Sequence, residues 1–332
     1  MSGNVSGRAL TIILATLAVA AIVAACFLGS TPLPPGRLLA ALLGGGEPGD
    51  VIVVWAIRLP RALAAFLVGA ALGASGAALQ GLLRNPLAEP GVLGVSASAA
   101  LVATVTLYYG FAEQFAWALP VAAVGGALVA TALIAAVALR TRSVTTLILV
   151  GVGLSSFAGA LMALLMNLAP NPFNLADMAN WMMGSVANRS FADLAFAAPF
   201  LGLGLALLFA TRCGLSALTL GEEAASGIGL DLARQRLAVV LGAGLATGGA
   251  VAIAGAIGFV GIVAPHLVRG RVGHDPARSL LPSALLAGVF LVVADIGVRL
   301  IPTNSELKLG VVAALVGAPL FVLIAARRRT GA

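Results

Sequence analysis

The chain has 332 residues, of which 61% are hydrophobic and only 9% charged, with a mean hydropathy of +1.09. A water-soluble domain is roughly a quarter charged, so this chain could not clothe a water-facing surface and is expected to be a polytopic membrane protein. Its 41 glycines lie within long apolar runs and aromatics make up 5%, which suits close helix packing in lipid and not the alternating strands of a β-barrel. The fold class is all-α.

A membrane-crossing helix needs about 20 apolar residues. In chain order such runs fall near 9–28, 62–83, 92–110, 117–139, 145–168, 191–210, 280–300 and 307–326. Arg8, the first run and Val23-Ala24-Ala25-Cys26 have the look of a lipoprotein-type signal peptide, but a first helix that stays attached fits a chain that crosses many more times. Between the sixth run and 280 lies an apolar stretch from Leu237 to Val268. At 1.5 Å per residue it would reach about 48 Å, well beyond a hydrocarbon core of about 30 Å. It must fold in two, with Gly255 and Gly258 at the turn and Pro265 bending the second member, near 234–255 and 258–270. The expected total is ten transmembrane helices in one membrane domain over 1–332.

Charge placement supports that count. With the N-terminus inside, the cytoplasmic side holds Arg8, Arg84, Arg140, Arg142, Arg212, Arg234, Arg236, Arg269, Arg271, Arg278, Arg327, Arg328 and Arg329. The outside holds Arg37, Arg58, Arg61, Arg189, Arg299 and Lys308, the asymmetry expected of a cytoplasmic-membrane protein with both termini inside. The net charge of +7 is scattered singly between apolar runs, so nucleic acid is not an expected partner. Cys26 and Cys213 fall on opposite membrane faces, and no disulfide is expected. A shift of 175 residues superimposes Arg61 on Arg236, Gly69 on Gly244, Gly73 on Gly248 and Pro90 on Pro265, the mark of an internal repeat whose copies run in opposite directions, as in many transporters.

Few polar segments interrupt the helices. Residues 211–236 carry Glu222, Glu223 and Asp231 among four arginines, with Gly221, Gly227 and Gly229 as breakers. This reads as two short helices at about 215–231 on the cytoplasmic face, either solvated or docking a soluble partner. Arg58 and Arg61 flank Leu59-Pro60 at the outer mouth of the second span, and Arg299 ends the ninth. Headgroup anchoring, reception of a partner's carboxylates, and an i,i+4 pair of Arg299 with Asp295 are all open. The run Arg84-Asn85-Pro86-Leu87-Ala88-Glu89-Pro90-Gly91 breaks the helix near membrane depth, as either a tight turn or a pore constriction. His266 has no second metal ligand in its turn and is expected to be structural, so no metal site is assigned.

Catalytic residues are not found. A P-loop would need a lysine after its glycines, and the single lysine, Lys308, stands elsewhere. The spans also lack the buried carboxylates of a proton or sodium pump. Energy is expected from a partner.

The motifs then become specific. Arg58-Leu59-Pro60-Arg61, the glycine-rich Val68–Gly81, and Asn85-Pro86-Leu87-Ala88-Glu89-Pro90-Gly91-Val92-Leu93-Gly94 resemble the membrane subunit of the FecCD family of ABC importers. Leu220-Gly221-Glu222-Glu223-Ala224, Gly258–Arg269, Ala294-Asp295 with Arg299, and Gly317-Ala318-Pro319 follow in the family's order. The resemblance implies a type II importer permease of ten helices that forms a homodimer in lipid, with two cytoplasmic ABC ATPases and a periplasmic binding protein. ATP and Mg would sit on the ATPase, with no cofactor on this chain. It also implies that Leu220, Gly221, Glu222, Glu223 and Ala224 couple to the ATPase and that Arg58, Arg61 and Arg299 receive the binding protein. Asn85, Leu87 and Thr145 would form a cytoplasmic gate. A short outer helix at about 175–185, with Trp181, Gly184 and Ser185, would form a periplasmic one. Cargo would be an iron–siderophore, haem or cobalamin, with the iron–siderophore first, moved by alternating access. Lys308 stands where the family usually has proline, and Ala97-Ser98-Ala99-Ala100 departs mildly from its pattern. A secondary transporter or channel working alone is the alternative, and an intramembrane enzyme lacks any convergent reactive cluster.

Overall fold

The computed structural model describes residues 7–29, 33–141, 143–301 and 306–327. Arg142, Arg328 and Arg329, counted above among the inward-facing basic residues, lie outside the described residues. All regular structure among the described residues is helical: α1 (Gly7–Phe27), α2 (Pro35–Leu42), α3 (Pro48–Ile52), a π-type turn over Val53–Arg58, α4 (Leu59–Leu82), α5 (Val95–Tyr108), α6 (Phe111–Gln114), α7 (Ala118–Arg140) and α8 (Val144–Asn167). There follow α9 (Pro172–Met182), α10 (Phe191–Ala210), α11 (Arg212–Ala217), a tight 3-10 turn over Leu218–Leu220, α12 (Glu222–Gly227), α13 (Leu232–Ala254), α14 (Val260–Arg269), α15 (Pro276–Leu300) and α16 (Leu309–Arg327).

A helix occupies each of the ten apolar runs, and among the described residues 7 helices are long and apolar enough to cross a membrane. The apolar helices α5, with 14 residues, and α14, with 10, are shorter. At 1.5 Å per residue they cover only about 21 and 15 Å. Non-helical segments, 83–94 and 255–259, precede them. Ser185 donates its N–H to the carbonyl of Ala254, the last residue of α13, at 2.7 Å. Short polar residues start the helices: Ser143, Asn171, Asp231 and Asp275 cap α8, α9, α13 and α15, and Ser190 with Asp193 forms a capping box on α10. One element was not expected. The second span does not begin near 62 but continues a helix running from Pro48 to Leu82, and Arg37 ties α2 to it through Asp50 at 2.7 Å and Glu47 at 2.5 Å.

At the centre, α4 packs against α13, and 78% of the best apolar window of α13 is buried, against 22% for α8. The outward side chains of α8, including Leu149, Val152, Phe157 and Leu164, suit lipid contact. Glycine sets the central packing. A Cβ at Gly69 or Gly73 would overlap the α15 backbone at Ala287 and Ser283, and one at Gly244 or Gly248 would overlap Thr131 and Ala127 of α7. The residues related by the 175-residue shift thus serve alike, each pair admitting a helix from the opposite half of the chain.

Candidate functional site

At one end of the bundle, Arg58, Arg61 and Arg299 come together as the sequence suggests, but in a buried network. Arg58, on the π-type turn, donates to the carbonyls of Cys26 at 2.8 Å and Phe27 at 3.1 Å, and Arg299 Nη1 donates to Ala25 at 3.1 Å. The last turn of α1 thereby finds cations for its orphan carbonyls. Arg61 holds both oxygens of Asp295, from Nε at 3.0 and 3.1 Å and from Nη2 at 2.8 Å, and also bonds Glu306. Arg299 adds its Nε at 3.1 Å to the same Asp295, which is the i,i+4 pair weighed above. Arg58 is 4% exposed, Arg61 9% and Asp295 1%, whereas the Glu306 side chain is 39% exposed. The cluster locks α1, α4 and α15 together, and Glu306 is its most accessible carboxylate.

The opposite end carries the 211–236 segment. It forms two short helices, α11 and α12, joined through the 3-10 turn and Gly221, whose φ of +101° belongs to glycine. Ser216 Oγ donates to Asp275 at 2.8 Å, and Gln235 Nε2 donates to the Thr211 carbonyl at 2.9 Å. The two glutamates divide. Glu222 accepts both bonds from Arg236 Nη2 on α13, at 2.7 and 2.8 Å, and Arg236 Nη1 reaches the Thr141 carbonyl at 3.4 Å. Glu223 and Ala224 are exposed, flanked by Leu220 and Ile228 at 69% and 70% exposure. An exposed apolar pair around an acid is a surface with something to bury.

Between these ends, Leu87 donates its N–H to Asn85 Oδ1 at 2.9 Å, and Ser155 Oγ of α8 donates to the Gly91 carbonyl at 2.9 Å. The 85–94 segment lies along α8, where a Cβ on Gly151 would meet Leu93. Leu87 and Thr145 are exposed, and no hydrogen bond joins Thr145 to Asn85 or Leu87 among the described residues. On the other side, Trp181, Gly184 and Ser185 close against the 254–258 break, and Gly310 donates its N–H to the Gly184 carbonyl at 3.2 Å. The three residues named for the outer gate therefore meet at one junction of α9, α13 and α16.

A cavity of about 270 Å³ lies between the two breaks, with Glu89, Ser96, Ser155, Met182 and Gly258 in its wall. Glu89 is its ionisable group. It accepts a hydrogen bond from the Phe259 N–H, which leads into α14. The sequence quotes Glu89 within a motif but does not reveal this capping role, nor the pairing of Glu222 with Arg236. The 175-residue shift held the signal for the latter. It equates Arg61 with Arg236, and both arginines grip a carboxylate.

Known proteins resemble this chain over most of its length. The FecCD transport family matches residues 16–327. The chain is 42% identical over 298 residues to an uncharacterized ABC transporter permease protein, YvrB, of Bacillus subtilis, covering 87% of this chain and 83% of that protein. It is 40% identical over 302 residues to the vitamin B12 import system permease protein BtuC of Salmonella typhi, covering 86% and 90%. A solved structure described as an inward-facing conformation of a metal-chelate type ABC transporter superimposes with a TM-score of 0.87 at 29% identity, covering 96% of this chain and 99% of that one. With its apolar helices and these permease relatives, the chain is a multi-pass membrane protein, and it belongs to the FecCD transport family.

Proposed function

We propose that the chain is the membrane subunit of an ATP-driven importer that carries a large metal chelate across the cytoplasmic membrane by alternating access. The match to the family over nearly the whole chain, joined to an intact likeness of fold, carries this reading. All ten apolar helices cross, the short α5 and α14 meeting their breaks at membrane depth, and both termini face the cytoplasm. Two copies enclose the pathway, two ATPase subunits dock on the α11–α12 surface, and a periplasmic binding protein docks on the Arg61 side. No catalytic residue and no resident cofactor belong to this chain. ATP and Mg are held by the ATPase.

Glu223, Leu220 and Ile228 supply contact to the ATPase, while Glu222 passes its movement to α13 through Arg236. Asn85, Leu87 and Thr145 close the inner side of the pathway, and the Trp181, Gly184 and Ser185 junction closes the outer. At the docking face, Arg58, Arg61 and Arg299 act through their network, with Glu306 the acid a docking carboxylate would displace. Within the chelate class, the kinship with vitamin B12 permeases sets cobalamin beside the iron–siderophore and haem.

The test is co-expression with a partner ATPase and the mass of the detergent-purified complex. A two-plus-two assembly is expected, weakened when Glu222 and Glu223 are both changed to Ala. A chain that purifies alone and moves a chelate down an ion gradient would instead be a secondary transporter.

A further inference from the structure

The two breaks in the apolar helices, 83–94 and 255–259, come together at Glu89. A Cβ on Gly91 would lie 3.3 Å from Glu89 Oε1, and one on Gly261 of α14 would lie 3.5 Å from Oε2. The carboxylate therefore stands between its own loop and the first turn of α14, where it accepts the Phe259 N–H. In a capping box a glutamate reaches back to the N-cap N–H of its own helix. Here the glutamate belongs to the other half of the chain, and the residue it holds keeps a left-handed backbone, φ 67°, without being glycine.

Each break is anchored among residues assigned above to a gate. In 83–94, Leu87 N–H closes onto Asn85 Oδ1 and Ser155 Oγ of α8 holds the Gly91 carbonyl, both at 2.9 Å. At 255–259, Ser185 N–H holds the Ala254 carbonyl at 2.7 Å, a Cβ on Gly184 would overlap the Ala256 carbonyl, and one on Gly255 would overlap that of Trp181. The 255–259 segment thus touches the outer junction at its start and Glu89 at its end. The helix α14 does not hang on Glu89 alone, because Gln80 Nε2 of α4 donates to the Gly261 carbonyl at 3.2 Å.

We propose that Glu89 is a positioning residue that links the two gates. Opening of the Trp181, Gly184 and Ser185 junction moves 255–259, and Glu89 carries that shift to the loop bearing Asn85 and Leu87. Alternating access requires that one gate respond to the other, and a single carboxylate spanning both breaks supplies a contact through which it does so. The gate names rest on the function proposed above. The coupling between the two segments does not, and it is measured on the chain alone.

Hydrogen–deuterium exchange of the detergent-purified full chain tests this, read by mass spectrometry on peptides covering 85–94, where the Ala88, Val92 and Gly94 N–H groups are hydrogen-bonded within the loop. Gly184→Ala, which strains a φ of +68° and crowds the Ala256 carbonyl, should speed exchange there about fivefold, the lower end of coupling between linked sites. In a Glu89→Ala background the same substitution should add nothing to the exchange of 85–94. In Glu89→Gln, whose amide oxygen still accepts the Phe259 N–H, the response should return. If Gly184→Ala does not fold, Trp181→Ala at the same junction is read in its place. A glutamate that only caps α14 would leave 85–94 unresponsive to the outer variant in the native background. That result, or an equal response with and without Glu89, overturns the proposal. A chain that proved to be a secondary transporter would keep this coupling, and an importer without it would lose this proposal alone.

Discussion

Arg61 at the start of α4 and Arg236 near the start of α13 stand 175 residues apart, and each grips a carboxylate from another element, yet the surroundings of the two grips are opposite. Asp295 is 1% exposed and shared by Arg61 and Arg299, while Arg58 seals the end of α1 beside them. Glu222 is one-third exposed, has one guanidinium, and borders the exposed Leu220, Glu223 and Ile228. The first grip is closed by its own chain, and the second is half of a surface. The enclosed charges fasten helices to one another, whereas the second pair stays next to apolar side chains that remain exposed.

Replacing Asp295 by Ala should have the largest effect. It takes the shared buried carboxylate from two guanidiniums, a loss worth about 3–5 kcal/mol in other proteins, and should lower the thermal unfolding midpoint in detergent by roughly 10 °C. A loss no greater than that of a surface variant would break the comparison at its outer end.

Glu222→Ala should cost about 1 kcal/mol, a partly exposed pair being screened by water, while ATP hydrolysis in the assembled complex loses its response to the binding protein. Glu223→Ala should leave the midpoint within about 0.5 kcal/mol of native but weaken capture of the ATPase in a pull-down. Two glutamates that behaved alike in both assays would erase the division between them.

The helices were legible because apolar length is written locally: the turn at Gly255, the capping residues and the short pair around Gly221 all follow from a few adjacent residues. The Pro48–Arg58 extension was not, since a proline and two glycines at 46–49 read as loop while Arg37, ten and thirteen residues away, holds them in helix. Arg61 was singled out, but its bond to Asp295 spans 234 residues and no local pattern announces it. Glu89 was hidden for the same reason, as its partner at Phe259 comes from the other half of the chain. The 175-residue correspondence is the intermediate case, visible as matched arginines and glycines whose packing partners only the fold supplies.

The most direct measurement is uptake of labelled cobalamin, ferric siderophore and haem into proteoliposomes holding the chain with its ATPase, given binding protein outside and ATP within. ATP-dependent accumulation of one of these chelates, lost in the Glu222→Ala, Glu223→Ala double variant, is the predicted result. Accumulation that continues without the ATPase, driven by an ion gradient, would contradict it.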